Sequence, residues 1–594
     1  MTAPFGPRFI DSNTVKFSTF APKAETVTLL INDKEIPMSA GEETGIFSLE
    51  TSASAGMQYG FKIDNGPCYP DPATRCQPNG VHEKSELIDL SFPWQNQNWK
   101  GIPFEDLIIY ELHVGTFTEK GTFMSAIERL DELVELGVTA LEIMPVAQAA
   151  GNWNWGYDGV NLFAPAKDYG RPEDLMALVN AAHARGLAVI LDVVYNHFGP
   201  EGNYLFAFGG YLSSHHKTPW GDAPNFDGRN ANTTRSYILE NVRYWLEDFQ
   251  FDGLRVDATH FIRDDSTPHI VTEIGSCVRA LETKLGRALH LIGETNVYDP
   301  ELIAKSAAGG SDFDGLWCDE FLHSLYAQLI PDEHMTSRDY RAEDDLNLVL
   351  NRGYVFHGTL TSPQTRHARS DAPAQVATEP LVCSIQNHDF IGNHPNGKRL
   401  HQTAGHDAHR AAAALLIMMP STPMLFMGEE FASESPFYFF VDFQDQRLRK
   451  AVERGRKADH PQHDWESGAS ATSPEALLHS KIGETSLGNS TTLNWYRELI
   501  ALRKSWRKED FLDSKKMMAQ WDDEKQMVSI IYTHEKDQRF ILVRLHEPNR
   551  KHTRIPIKVN GEILLTLNCD DAGDGTISAG NFAVLAGKGT AAPQ

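Results

Sequence analysis

The chain opens with short runs in which apolar and polar residues alternate. "TVKFSTFAP" and "ETVTLLIND" place apolar side chains at every second position, and "NDK" and "SAGEETG" supply turn residues. Residues 1–95 therefore read as an N-terminal β-sandwich of immunoglobulin-like type. From Leu107 the rhythm changes. Eight short apolar runs follow one another: "LIIYELHV", "VTALEIMPV", "LAVILDVVYNH", "FDGLRVDA", "HLIGETN", "FDGLWCD", "PLVCSIQNHD" and "TPMLFMGEE". Amphipathic stretches such as "RPEDLMALVNAAHARG" and "TTRSYILENVRYWLEDFQ" lie between them. The first of these begins with Pro172 and stops at Gly186, as helix start and stop signals require. Eight strand–helix units predict an α/β fold, a closed (β/α)8 TIM barrel with insertions over residues 96–515. An open doubly wound sheet is the alternative. It would place a glycine-rich phosphate loop after its first strand, and "LIIYELHVGTFTEKG" lacks one. A polar stretch near 445–490 reads as a helical and loop extension. Alternation returns in "QMVSIIYTH", "RFILVRLHE", "EILLTLNC" and "NFAVLAG", predicting a C-terminal β-sandwich over 516–594.

In such a barrel the reacting groups sit where strands end and βα loops begin. The third run ends in Asp192, Asn196 and His197, the fourth in Arg255 and Asp257, the fifth in Glu294. The seventh ends in Asn387, His388 and Asp389, whose side chains would alternate faces if they continue the strand. The loop after the second run carries Trp153, Trp155, Tyr157 and Asp158. Three carboxylates, two histidines and an arginine then converge on one rim. Two carboxylates flanking a bond suit glycoside hydrolysis, one as nucleophile or base and one as proton donor. The aromatic rings suit the C–H faces of sugars. Arg255 lies two residues before Asp257, on the same strand face, where a cation keeps a carboxylate ionised. A divalent-metal site is the competing use of carboxylates and histidines. None of these residues has the i, i+4 helical spacing of a metalloprotease motif.

Composition narrows the partners. The 594 residues carry a net charge of −26, a surface that repels phosphate backbones and anionic lipid. Nucleic acid and membrane are therefore not expected partners, and a neutral substrate fits. The six cysteines are scattered without a CxxC pair, so neither a zinc site nor a disulfide framework is indicated. A Cys68–Cys76 bridge is the one conceivable pairing. A reducing cytoplasmic compartment is the simpler expectation. The N-terminus has no basic-then-apolar leader pattern, and no apolar run reaches about 18 residues.

"DVVYNH", "GLRVDATH", "GETN" and "NHD" follow one another in the order and at the spacing of four motifs, and together they resemble glycoside hydrolase family 13, the α-amylase family. The resemblance implies retaining hydrolysis of α-glucosidic bonds. Asp257 is similar to the nucleophile, Glu294 to the general acid/base and Asp389 to the carboxylate that binds the C2 and C3 hydroxyls. His197 and His388 resemble the histidines of subsite −1, Arg255 the orienting arginine and Tyr157 the aromatic platform, with Asp158 beside it in the binding set. Asp192 resembles a structural aspartate. Further segments, "NWNWGYDGVNLFAP", "TPWGDAPNFDG", "QNHDFIGNHPNGKRL", "STPMLFMGEEFASESPFYFF" and "LWCDEFLHSL", are similar to the branch of the family that releases trehalose from malto-oligosyltrehalose. That branch implies a malto-oligosyltrehalose substrate, a malto-oligosyltrehalose synthase as its supplier, and no cofactor or metal. Its +1 and +2 subsites must fit a bent 1,1-linked disaccharide. Candidates are His260, Trp220, Asp222 and Glu320. A 1,4-α-glucan branching enzyme or a general α-glucan hydrolase is the alternative on the same scaffold. Against branching, Asn387 stands where serine usually precedes the His–Asp pair. A barrel that only binds sugar is the alternative from another class.

Overall fold

The computed structural model describes residues 5–593 apart from 42–43, 331–339, 359–376, 462, 466, 486–487 and 546–553. All eight expected barrel strands form: β1 (Ile109–Leu112), β2 (Ala140–Ile143), β3 (Ala188–Val193), β4 (Gly253–Val256), β5 (His290–Glu294), β6 (Gly315–Trp317), β7 (Leu381–Cys383) and β8 (Thr422–Phe426). They pair in chain order, all parallel, and β8 closes on β1 with Ile109 opposite Met424. Both faces of each strand are covered, which is why the runs read as continuous rather than alternating.

The period of two still sorts the side chains. Ile109, Ala140, Ala188, Ile190, Ile292, Trp317, Val382 and Met424 pack together inside the barrel. Their neighbours Tyr110, Leu141, Val189, Leu191 and Leu254 pack outward against the helices. One step along the same inward face come Glu111, Glu142, Asp192, Arg255 and Glu294. An apolar floor thus gives way to a charged layer at the C-terminal rim. Gly253 belongs to the crowded floor, where an added Cβ would sit 2.5 Å from the His290 carbonyl oxygen. At the opposite end Asp252 ties the bottom together. It accepts hydrogen bonds from Trp99 at 2.7 Å, Arg287 at 2.6 Å and the Val189 N–H at 2.8 Å, and its other contact is His183 at 2.8 Å.

Outer helices include Pro172–Ala184, Ala231–Arg243 and Ile270–Leu285. Before the barrel lie two antiparallel sheets. One contains Thr14–Phe20 and Ile46–Ser52, the other Val27–Ile31 and Gln58–Ile63. Val15, Phe17, Leu29, Tyr59 and Phe61 are fully buried between them. After the barrel, Met517–Asp522, Met527–His534 and Asp537–Arg544 join two long strands, Ile555–Gly573 and Thr576–Pro593. These two bend, so that Ile557 pairs with both Ile577 and Pro593, and a separate apolar cluster of Phe540, Leu542, Ile557 and Leu585 fills the fold. None of the six cysteines forms a disulfide, Cys68 and Cys76 included. No helix among the described residues is long and apolar enough to cross a membrane.

The structure departs from the strand reading after β7. That strand stops at Cys383, and Asn387 caps a short helix, α1 (His388–Gly392), accepting the Phe390 N–H at 2.7 Å. His388 and Asp389 therefore project from a helical first turn, not from alternating strand faces. An asparagine side chain satisfying an orphan helix N–H is the physical cause. The loop after β3 holds a feature that the pattern did not suggest, a hairpin of Leu212–Thr218 and Gly221–Pro224 with Trp220 at its turn.

Candidate active site

Arg255 is the hub. It is buried on β4, and its guanidinium meets Asp192 at 2.6 Å, Asp257 at 3.0 Å and Glu294 at 2.9 Å. The guanidinium carbon lies 4.2 Å from the Trp317 ring centre. A planar, always-charged fork is the side chain able to serve three carboxylates at once.

Asp257 follows β4 directly. Its Oδ1 faces Arg255, and its Oδ2 accepts the Asn196 amide at 2.7 Å. Glu294 ends β5. Its Oε2 accepts the Ala258 N–H at 2.6 Å and also faces Arg255. Ala258 has φ of 40°, the left-handed region that a non-glycine residue rarely adopts, and that conformation belongs to the residue whose N–H meets Glu294. The two carboxyls titrate as a pair. Burial, then repulsion from Glu294, pushes Asp257 well above the usual aspartate range. Burial also opposes charge on Glu294, but Arg255 and the Ala258 N–H outweigh it and hold Glu294 below its usual value.

A relay crosses the barrel mouth. Glu111 on β1 accepts the His388 backbone N–H at 3.1 Å and contacts the ring at Nδ1. His388 Nε2 lies 2.8 Å from the Tyr157 hydroxyl, which donates to Asp192 Oδ2 at 2.6 Å. Burial works against a charge on His388, yet Glu111 outweighs it and raises its pKa. A protonated ring donates at both nitrogens, consistent with both contacts. The Tyr157 ring stacks on His388 with centres 5.1 Å apart. Glu142 completes the layer, and burial followed by repulsion from Glu111 pushes its carboxyl well up.

Asp389 sits half-buried at the rim and accepts the Asn393 amide at 2.6 Å. Arg456, from α2 (Gln446–Asp459), donates to Asn393 Oδ1 at 3.1 Å and to the Gly392 carbonyl at 2.8 Å. The extension after the barrel thus supports the helix that presents Asp389. His197 stacks on Trp220 with centres 4.8 Å apart, and burial lowers its pKa to about 4, so the ring is neutral. Trp220 is about half exposed and also meets Phe261. His260 lies in the turn after β4 against Phe261. Asp158 accepts the Asn154 amide at 2.8 Å, and burial raises its pKa to about 6. Asp222 pairs with Lys217 on the exposed hairpin.

Glu320 does not reach the rim. Its carboxylate is buried and accepts the backbone N–H groups of Val355 and Phe356, the latter at 2.9 Å. Its neighbour Asp319 instead contacts Asn387, the residue that caps α1. Asp319 accepts Trp317 Nε1–H at 2.9 Å and the Asn387 amide at 3.0 Å. Burial, then the Asp389 charge, raises its pKa to about 7. Sequence reasoning also passed over Glu111, Glu142, Asn393 and Arg456. The two glutamates left a signal, as charged residues inside the apolar runs "IIYELHV" and "ALEIMPV". Charge in the middle of a doubly covered strand requires a partner.

The alpha amylase catalytic-domain family model matches residues 69–222. Malto-oligosyltrehalose trehalohydrolase of Saccharolobus solfataricus is 39% identical over 499 residues, covering 84% of this chain and 86% of the relative. The protein of that name from Mycobacterium tuberculosis is 34% identical over 585 residues, covering 96% of this chain and 99% of its own. A 1,4-alpha-glucan branching enzyme of Corynebacterium jeikeium is more distant, 28% identical with 67% and 61% covered. Among solved structures, a Salmonella typhimurium protein provisionally named an alpha amylase superposes with a TM-score of 0.88 at 31% identity, covering 99% of this chain and 100% of that one. The chain belongs to the malto-oligosyltrehalose trehalohydrolase family, within the α-amylase family.

Proposed function

We propose that this protein hydrolyses the α-1,4 bond between the terminal trehalose and the remaining glucan of a malto-oligosyltrehalose, with retention. The carrying observation is one guanidinium holding Asp257 and Glu294, in a chain that shares 39% identity with a relative of that name. Asp257 is the nucleophile. Glu294 is the general acid and then the base, with Oε2 fixed by Ala258 and Arg255 and Oε1 left to meet the bridging oxygen. Retention calls for the two carboxyls to act about 5–5.5 Å apart.

Burial and the Glu294 charge disfavour an ionised Asp257, and Arg255 and the Ala258 N–H favour an ionised Glu294, whereas the reaction needs Asp257 ionised and Glu294 protonated. The form with Glu294 protonated and Asp257 ionised is the one that reacts, and the positive charge developing at the anomeric carbon stabilises its aspartate in the transition state. Glu294 then protonates the trehalose oxygen as Asp257 attacks. Water, deprotonated by Glu294, releases the glucan. In this reading Asp389, His197, His388 and Tyr157 hold the −1 sugar, and Arg255 orients both carboxyls. Trp220 and His260 line the +1 and +2 side, joined by Asp319 in place of Glu320. A malto-oligosyltrehalose synthase supplies the substrate. Six unbridged thiols fit a reducing cytoplasm.

The test is the ratio of kcat/KM for maltotriosyltrehalose to that for maltopentaose. A ratio far above one, with trehalose released, is expected. Equal values would replace this reading with a general α-glucan hydrolase.

A further inference from the structure

We propose that His215, His216 and Asp227 form a binding site for a divalent transition metal of the zinc class, which fixes the Trp220 hairpin to the loop after β4. His215 and His216 are consecutive in the strand Leu212–Thr218, where side chains should point to opposite faces. The ladder with Gly221–Pro224 is irregular between Leu212 and Lys217, and the two imidazoles lie with ring centres 4.1 Å apart. Both converge on one carboxylate. His216 Nε2 is 2.7 Å from Asp227 Oδ2, and His215 Nε2 is 3.1 Å from Asp227 Oδ1.

The Asp227 side chain is only 7% exposed, yet its Oδ1 has no hydrogen bond of acceptable geometry. A buried carboxylate oxygen facing an imidazole nitrogen outside hydrogen-bond geometry lacks the proton-mediated contact it should have. A cation between them supplies it. The three ligand atoms lie within 4.8 Å of one another. Around one tetrahedral zinc, donors stand about 3.4 Å apart, so small ring movements suffice. Two imidazoles and a carboxylate suit zinc, cobalt or nickel rather than calcium or magnesium, which favour oxygen alone. His215 Nδ1 has Ser213 Oγ at 3.4 Å, a partner for the tautomer that leaves Nε2 as ligand. The exposed Asp265 carboxylate lies 3.5 Å from His216 Nε2, beside this three-residue set rather than within it.

The site joins two segments. Asp227 follows the hairpin, and Asp265, whose N–H also binds Asp227 Oδ2 at 2.8 Å, belongs to the loop after β4. The hairpin turn carries Trp220, stacked on His197. An ion here therefore braces the wall of the active-site cleft without taking part in bond cleavage.

The test uses the full-length protein, stripped with a chelator and titrated with Zn2+ by calorimetry and with Co2+ by visible absorption. One equivalent bound, with the ligand-field absorption of cobalt at low coordination number, is expected. Asp227→Asn and His216→Gln should each weaken binding by at least about tenfold, the loss that removing even a supporting group causes. Zn2+ should raise the melting temperature of the natural protein and not that of the variants. Near-ultraviolet circular dichroism establishes that a variant is folded, and either folded variant suffices. Absence of stoichiometric binding, or binding unchanged in a folded variant, would overturn the proposal, the latter by assigning the metal to another histidine group.

Discussion

Replacing Arg255 with lysine probes the hub while keeping its charge. The guanidinium makes three contacts of 2.6–3.0 Å to Asp192, Asp257 and Glu294. An ammonium is a point donor on a different stem, and it can hold the nearest of these carboxylates but not all three. Each charge-assisted contact is worth about 1.5–3 kcal/mol net when buried. Losing the two to the reacting carboxyls thus forfeits at least about 3 kcal/mol of their positioning. At 1.36 kcal/mol per decade that is about a hundredfold or more in kcat/KM. The pH profile should move as well. Arg255 lowers the pKa of both Asp257 and Glu294, so its weakening raises both. A nucleophile that must be ionised then loses activity earlier on acidification, and the acid limb of kcat/KM shifts to higher pH. The assay is trehalose release from maltotriosyltrehalose across the acidic range, with circular dichroism to show that Arg255→Lys is folded. A rate within about threefold of the natural protein, with an unmoved acid limb, would refute the three-carboxylate account.

Other substitutions separate the remaining roles. Glu294→Gln should lower kcat by about 10²–10⁴ on trehalose-ended substrates and by much less on an α-glycosyl fluoride, whose leaving group needs no proton; equal losses on both would remove Glu294 as the acid. Asp319→Asn should stabilise the fold, because a carboxyl raised from 3.8 to about 7 makes the native state less stable as it ionises. The melting-temperature gap over the natural protein should open between about pH 4 and 7 and level off above, and a constant gap would contradict the assignment. Glu320→Gln should reduce thermal stability while leaving kcat/KM for maltotriosyltrehalose unchanged, since its carboxylate serves the Val355 and Phe356 N–H groups; a selective rise in KM would return it to the substrate wall. Trp220→Ala should raise KM for maltotriosyltrehalose about 2- to 12-fold, the value of roughly 0.5–1.5 kcal/mol for an aromatic contact, and leave maltopentaose cleavage less affected.

The barrel was legible because each strand is a short apolar run, as parallel strands covered on both faces must be. The placement of Asp257, directly after β4, and of Glu294, the last residue of β5, was legible because each closes an apolar run with a carboxylate. The position of His388 and Asp389 was not, because their placement depends on Asn387 capping α1 five residues beyond a three-residue strand. Glu320 and Asp319 are adjacent, and which of them faces the rim depends on the turn between β6 and its helix. Sequence pattern does not fix that turn to one residue. Arg456 acts from more than sixty residues beyond Asn393 in the chain, a long-range contact with no local signature. The bent long strands near the C-terminus alternate in sequence like ordinary strands, so their double pairing was invisible.

The most direct measurement is proton NMR of maltotriosyltrehalose hydrolysis, followed from the first seconds. The account calls for trehalose and α-maltotriose as the initial products, with the β-anomer of maltotriose growing in only by mutarotation. Initial β-maltotriose would contradict retention through Asp257 and Glu294. Glucose or maltose without trehalose would contradict the trehalose-releasing reading.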